Sequence, residues 1–323
     1  MQTWRRRGLA ACLLLPVGLI FFALAGLRRW AYRHGWLKSW RLPVPVVVIG
    51  NIVTGGAGKT PLTLWLAQRL RAAGRHPGIV SRGYGRVGHD IRKVGAGDTA
   101  REVGDEPLLL ARRSGCPVVV GADRVAAARA LLAAHPECDL LLCDDGLQHY
   151  RLQRDFEIAV IDRRGLMNGW PLPAGPLREP PARLREVDAL VLHDAVALPV
   201  AAVPSFMMRL EGRRFHLLDD PRVTCEAEKL VGLRLHAVAG IGEPQRFFDH
   251  LAGLGLVFEA HAFPDHHAYR ASDLDFAGDA ILMTEKDALK CAGVTRLPVW
   301  VLPVEANVEP DLARHVLNSL EKN

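Results

Sequence analysis

A β-branched apolar run, Val44 to Gly50 (VPVVVIG), passes directly into a glycine-rich turn and then into the helical pattern TPLTLWLAQRLRAAG. Strand, glycines and helix in that order predict a buried strand that delivers a loop to a helix N-terminus. The loop reads Val53-Thr54-Gly55-Gly56-Ala57-Gly58-Lys59-Thr60. It follows the phosphate-loop (P-loop) pattern from Gly58 onward, with Val53 where the common pattern has glycine. The physics survives that departure. Gly55, Gly56 and Gly58 let successive backbone N–H groups face a phosphate chain at a helix N-terminus, where the helix dipole also favours anions. Lys59 is placed to neutralise β and γ phosphates, and Thr60 to offer its hydroxyl to Mg2+.

Similar apolar runs recur at 77–81, 117–121, 139–143, 157–161 and 188–192, several separated by helix-like segments such as DRVAAARALLAAH. This alternation predicts an α/β fold: a P-loop NTPase-like parallel sheet covered on both faces, with right-handed crossovers. A second series from about residue 235 (HAVAGIG, EPQRFFDHLAGLG, LVFEAHAF, ILMTEKDALK, LPVWVLPV and a helix near 310–320) predicts a second, smaller α/β domain. FMMRLEGRRFHLLDD before it reads as a strand-rich linker. The expected division is an N-terminal membrane segment at 1–41, the P-loop domain with its linker at 42–222, and the smaller domain at 223–323. A chain of 323 residues is long enough for about two domains.

The run Leu140-Leu141-Leu142-Cys143-Asp144-Asp145 brings two carboxylates to the end of a strand. P-loop proteins place an Asp near the metal in this way. Asp144 is therefore the candidate Mg2+ partner, with Asp145 and Gln148 arranging the site. A solvated turn opening a helix would carry the same residues; the phosphate loop favours the metal.

Charge is segregated. Residues 1–89 hold fourteen Lys or Arg and no acid, whereas the rest of the chain is net negative. Such an N-terminal part is expected to meet something anionic, either phosphate or an acidic lipid surface. Residues 9–27 (LAACLLLPVGLIFFALAGL) are uncharged and mostly apolar, and as a helix would rise about 28 Å, close to a bilayer's hydrocarbon thickness. Arg5, Arg6 and Arg7 precede the run; Arg28, Arg29, Arg33, Lys38 and Arg41 follow, with Trp30, Tyr32, Trp36 and Trp40 as interfacial anchors. The basic cluster after the run and a nucleotide motif that needs cytosolic ATP oppose a cleaved signal peptide. Basic flanks on both sides leave spanning and in-plane anchors open. Because the charge flanks an apolar helix with clustered aromatics, a membrane is expected and a nucleic acid is not. Six scattered cysteines without a CxxC pair fit a reducing compartment.

Together these residues resemble the tetraacyldisaccharide 4′-kinase family. The resemblance runs through most of the chain: Gly50-Asn51 into GGAGKTP (55–61), SRGYGR (81–86), GDEP (104–107), DDGLQH (144–149), NGWPLPAGPLREP (168–180), FPDHHAY (263–269) and TEKDA (284–288). It implies transfer of the ATP γ-phosphoryl group, with Mg2+, to the 4′-hydroxyl of a tetraacylated, 1-phosphorylated glucosamine disaccharide, giving lipid IVA. It also implies the cytoplasmic face of a bacterial inner membrane, contact with its phospholipids and an acylated disaccharide substrate; no obligate protein partner is inferred.

The resemblance assigns roles as well. Asp105 takes the general-base role, with Glu106 near the metal, although two acids opening PLLLARRSG also suit a helix N-terminus. Asp265-His266-His267 with upstream His261 matches no common structural zinc spacing and has no cysteine near; the resemblance instead pairs His266 with Asp105, which would make the site a cleft between domains. Arg82, Tyr84, Asp145, His149, Asn168 and Arg178 become the substrate-binding set. Thr284-Glu285-Lys286-Asp287 reads as a helix cap without chemistry. The alternative is a membrane-associated P-loop ATPase or GTPase working as a conformational switch, which would turn over nucleotide without an acceptor.

Overall fold

The computed structural model describes residues 2–95, 97–195, 203–291 and 293–322. The first eight strands are β1 (Val46–Gly50), β2 (Pro77–Ser81), β3 (Arg92–Lys93), β4 (Val118–Val120), β5 (Leu140–Asp144), β6 (Phe156–Asp162), β7 (Ala189–His193) and β8 (Ser205–Glu211). Seven more follow: β9 (Arg214–Leu217), β10 (Thr224–Glu226), β11 (Leu235–Ala239), β12 (Phe258–Ala262), β13 (Ala280–Thr284), β14 (Val299–Leu302) and β15 (Glu305–Val308). The helices are α1 (Gln2–Arg5), α2 (Leu9–Arg33), α3 (Lys59–Ala72), α4 (Ala100–Val103), α5 (Asp105–Ser114), α6 (Arg124–Ala134), α7 (Pro244–Gly253), α8 (Glu285–Ala288) and α9 (Asp311–Leu320).

The large sheet has the order β15-β8-β7-β6-β1-β5-β2-β4-β3, and only its outermost pairs, β15 with β8 and β3 with β4, are antiparallel. Alternation explains why its strands read as unbroken apolar runs. Val47 and Ile49 of β1 pack with Leu62, Leu66 and Leu70 of α3 on one face, while Val46 and Val48 pack with Val125, Ala128 and Leu131 of α6 on the other. Both faces of β1 are covered, so its positions are all apolar or glycine and all buried. Parallel strands also bring their carboxyl ends to one edge, where open α/β sheets bind ligands.

The smaller sheet has the order β10-β9-β14-β13-β11-β12. Leu235, Ala237 and Ala239 of β11 meet Phe247, Phe248 and Leu251 of α7 on one side. The stretch expected as a linker is divided: β8 extends the large sheet by pairing with β7, and β9 enters the smaller one by pairing with β14. The chain then returns, because β15 pairs with β8 and α9 packs on the large-sheet core through Leu312, Ala313 and Val316. Two crossings thus tie the sheets together.

Helix α2 continues through Pro16 for 25 residues. Gly18 lies against the 168–177 loop so closely that a Cβ there would come within 2.9 Å of Pro171 Cγ. The helix is held along its length: the Trp4 indole before it donates to the Pro173 carbonyl, Arg7 donates to that of Asn168, and Arg29 and Arg33 pair with Glu186. Its opposite face exposes Leu9, Leu13, Val17, Ile20 and Leu27, an apolar stripe at helical spacing.

Candidate active site

The phosphate loop leaves β1 at Gly50 and enters α3 at Lys59. Gly58 precedes the helix with φ at +91°, and a Cβ there would also lie 2.5 Å from His193 Nδ1. No other residue meets both demands. His193, fully buried, donates from Nδ1 to the Ala57 carbonyl (2.9 Å), and its Nε2 accepts from Arg246 of α7. Burial and the neighbouring Arg246 guanidinium hold its imidazole below its ordinary pKa, which suits the neutral form that this pairing requires. Arg164 donates to the Gly56 carbonyl and pairs with Asp162 at the end of β6. The loop is therefore clamped by groups from both parts of the chain.

Lys59 Nζ lies 3.3 Å from Asn51 Oδ1 and 3.5 Å from Asp145 Oδ1. Asp145 is also 3.2 Å from Arg178 through both carboxylate oxygens. Burial pushes its pKa up, yet Lys59 and Arg178 more than offset that and hold it below the carboxylate range. Asp144 behaves oppositely. It is buried and accepts from Thr63 Oγ1 at 3.0 Å, and its pKa is pushed up to about 7, first by burial and then by the charges of Glu106 and Asp145. Glu106, Asp144 and the buried Thr60 offer only oxygen donors, with mutually repelling carboxylates, the chemistry that a hard divalent cation relieves. Gln148 lies beside them: its amide donates to the Asn51 carbonyl and Glu179, and its oxygen accepts from Arg178. It ties the loop base to the Pro-rich segment.

Across the cleft, His266 Nδ1 donates to Asp105 Oδ2 at 2.9 Å. Asp105 begins α5, only 4% exposed, and its other oxygen accepts from the Glu106 N–H. Burial raises its pKa, but the His266 hydrogen bond, Lys286 and Lys290 together bring it below its ordinary value. His266 moves the other way, raised chiefly by that same hydrogen bond. The ring is fixed further by Tyr84 at 5.0 Å and by a backbone φ of +61° at His266 itself. His266 thus comes from the smaller-sheet part of the chain to meet α5 of the larger. Gly242, after β11, comes so near the phosphate loop that a Cβ there would be 3.2 Å from the Gly56 nitrogen.

A single cleft of about 1480 Å3 is lined by the phosphate loop, Arg82, Tyr84, Glu106, Asp145, Gln148, His149, Arg178, His266 and, at one end, Phe21, Leu24, Ala25 and Arg28 of α2. That exceeds the roughly 300–1,000 Å3 of a single small-ligand pocket and leaves room for two reactants. Among the described residues that line it, four buried atoms have no partner: Thr54 Oγ1, Arg124 Nε, His149 Nε2 and Glu243 Oε2. His149 is pushed down to about 4, first by burial and then by Arg124, so it is a neutral ring. Asn168 is placed differently from the other expected substrate residues: its amide donates to the Ala174 carbonyl and its oxygen accepts from the Trp170 N–H, organising the loop against which α2 lies. Arg82 lines the cleft, exposed.

Several lining residues escaped sequence reasoning. Lys286 belongs to a motif read purely as a cap, and the cap does form, with Thr284 Oγ1 accepting from the Asp287 N–H. Yet its Nζ lies 3.2 Å from Glu106, 3.5 Å from Asp265 and 3.7 Å from Asp105, and those acids raise its pKa against the cost of burial. Arg163, Arg164 and His193 were missed too, although each follows or ends a parallel strand; position at a carboxyl strand end was the available signal.

A loop of this shape recognises phosphate chains, and an acid–imidazole pair in the same cleft can take the proton of a hydroxyl that attacks phosphorus. The chain is accordingly a P-loop phosphotransferase in class. Comparison with known proteins narrows this. The family model LpxK, Tetraacyldisaccharide-1-P 4′-kinase, matches residues 10–321, and the chain belongs to that family. It is 54% identical over 324 residues to a tetraacyldisaccharide 4′-kinase of Azoarcus sp. (strain BH72), covering 98% of this chain and 94% of the relative. It is likewise 54% identical to that of Dechloromonas aromatica (strain RCB) over 319 residues, with 98% and 94% coverage. Among solved structures, LpxK from Aquifex aeolicus in complex with ATP superposes with a TM-score of 0.81 at 30% identity, covering 97% of this chain and all of the other.

Proposed function

We propose that this cleft transfers the γ-phosphoryl group of ATP to the 4′-hydroxyl of a tetraacylated glucosamine disaccharide 1-phosphate, giving lipid IVA and ADP. The observation that carries the reading is one continuous cavity joining the phosphate loop, the Asp105–His266 pair and the apolar end of α2. The bond between γ-phosphorus and the β,γ-bridging oxygen breaks as the bond to the 4′-oxygen forms. The hydroxyl proton passes to the Asp105–His266 pair, with Asp105 as its basic member and His266 orienting it. Backbone N–H groups of 54–60, the free Thr54 hydroxyl and Lys59 bind the triphosphate. Thr60, Asp144 and Glu106 would hold Mg2+, which when bound neutralises charge on the β and γ phosphates. Arg82, Arg178 and neutral His149 recognise the sugar phosphate. Guanidinium groups suit a phosphate bidentately.

Helix α2 lies along the protein and turns its apolar stripe outward, which supports an anchor lying in the plane of a bilayer interface rather than one crossing it. Facing the cytoplasm at the inner membrane, it would set the cleft mouth at the depth of the lipid headgroups, where phospholipids surround both helix and substrate. Replacing Leu13 and Ile20 together by Asp is expected to shift the protein from the membrane to the soluble fraction on flotation; unchanged flotation would overturn the anchor.

The function is tested by incubating purified protein with Mg·ATP and the acylated disaccharide and reading product mass. A gain of one phosphate on the lipid, with ATP turnover dependent on it, is expected. Equal turnover without lipid would favour a switch-type NTPase instead.

A further inference from the structure

The histidines near the smaller sheet go to different partners. His266 reaches Asp105, His267 Nε2 reaches Asp273 at 3.0 Å, and His261 faces His236. The last pair takes no part in phosphoryl transfer. It arises from strand register: β11 and β12 run parallel with His236 opposite Glu259 and Val238 opposite His261. Side chains two apart on a strand share a face, so Glu259 and His261 project together beside His236.

Their ligand atoms converge. His236 Nδ1 and His261 Nε2 are 3.0 Å apart, and Glu259 places one carboxylate oxygen 3.7 Å from the first and the other 3.8 Å from the second. All three groups can offer a donor within 4.8 Å of the others. Hydrogen bonding between the rings accounts for the first distance only, because 3.7 and 3.8 Å are beyond hydrogen-bond range. The two longer distances run to different oxygens of Glu259, whose carboxylate faces both imidazoles without closing on either. A tetrahedral ion bound at 2.0–2.2 Å to two His and one carboxylate separates its ligand atoms by about 3.3 Å; the two ring nitrogens, 3.0 Å apart, stand close to that spacing, and Glu259 has to close further to complete the set.

The rings are also prearranged. Phe276 stacks on both, 4.5 Å from His236 and 4.2 Å from His261 at interplanar angles of 15° and 21°. His236 is 8% exposed, whereas the Glu259 side chain is largely exposed and free to close. Burial holds His261 below its ordinary pKa, favouring the neutral ring that ligation uses.

We propose that His236, Glu259 and His261 form a binding site for one divalent transition-metal cation of the zinc class, with a fourth position open to water. Two imidazoles favour such ions over Mg2+, whereas the oxygen donors of the nucleotide cleft favour Mg2+, so the two sites sort their metals by ligand chemistry. The ion clips β12, the edge strand of the smaller sheet, to β11. Four residues beyond β12 stands His266, so the clip steadies the strand from which the catalytic-pair histidine departs.

The test uses full-length protein in detergent without a histidine tag, with Mg2+ at millimolar concentration. Co2+ is the probe, since a His-ligated four-coordinate site gives visible absorption that an oxygen-ligated one in the cleft does not. Expected is uptake of about one equivalent with that band, displaced by Zn2+. His261→Gln and Glu259→Gln, chosen because neither residue is fully buried, should each weaken it at least about tenfold, while Asp144→Asn leaves it unchanged. Thermal unfolding with Zn2+ should move upward in the parent chain and not in His261→Gln. No uptake at equimolar Co2+, equal affinity in both ligand variants, or loss in Asp144→Asn alone would overturn the site.

Discussion

Replacing Asp105 with Asn is expected to lower kcat for phosphoryl transfer by about 10^2–10^4-fold, the range of positioned acid–base groups, while ATP binding stays within a factor of two or so of the parent. The split follows from geometry: the carboxylate touches His266 and the Glu106 N–H, and Lys286 and Lys290 lie at 3.7 and 4.0 Å, but no group of the phosphate loop contacts it. Asn keeps the shape and loses the base. His266→Ala makes a complementary case. Burial favours protonated Asp105, and the His266 hydrogen bond is the largest influence opposing it. Removing the ring therefore raises the Asp105 pKa, and the acid limb of the kcat profile should move to higher pH. The stability linkage runs in the same sense. Asp105, depressed in the folded state, stabilises the fold above its unfolded pKa and loses that contribution as pH falls through the folded value. His266, raised, contributes fully below about 6.5 and loses it as pH climbs through its elevated value. Parent-like kcat in Asp105→Asn, or an unmoved acid limb in His266→Ala, would refute this assignment.

Lys59→Ala should damage binding and chemistry together, raising KM for ATP and reducing kcat/KM by about 10^2–10^3-fold, as removal of one charge-stabilising donor does elsewhere. Lys59 lies at the base of the loop, 3.5 Å from Asp145 and hydrogen-bonded to Asn51. Without it Asp145 keeps Arg178 as its partner, so the loop should persist while its triphosphate affinity falls. Asp144 would become harder still to ionise, because Lys59 is the largest influence lowering its pKa. Nucleotide titration beside single-turnover transfer separates the two variants: Asp105→Asn binds and does not transfer, whereas Lys59→Ala does neither well. Retention of more than about a tenth of parental kcat/KM in Lys59→Ala would contradict its phosphate role.

The elements carrying these residues were readable because their signals are local. Val46 to Gly50 became a strand and Lys59 to Ala72 a helix since β-branched runs and glycine turns act within a few residues. Apolar runs at 77–81, 117–121, 139–143, 157–161 and 188–192 each coincide with a strand of the large sheet. The return of β15 and α9 to that sheet was not readable, because pairing Glu305–Val308 with Ser205–Glu211 is a choice between exposed edges about 95 residues apart. The run Asp265-His266-His267, which matches no zinc spacing, divides between partners distant in sequence for the same reason. Adjacent in sequence, His266 and His267 separate to Asp105 and Asp273, while His261 finds His236 across a strand pair.

From residue order alone came the α/β alternation, the phosphate loop, the acidic strand end and the basic apolar N-terminus, all properties of short windows in which neighbours along the chain are neighbours in space. Tertiary structure decided what the loop faces. Lys286 reaches Glu106, Arg246 reaches His193 and His266 reaches Asp105 only because the chain crosses between two sheets, and their separations in sequence carry no periodicity. Likewise the length and apolarity of α2 allowed either a crossing or a surface anchor; packing of Gly18 on Pro171 and of Arg29 on Glu186 laid it along the protein beside the cleft, which supports the proposed in-plane anchor.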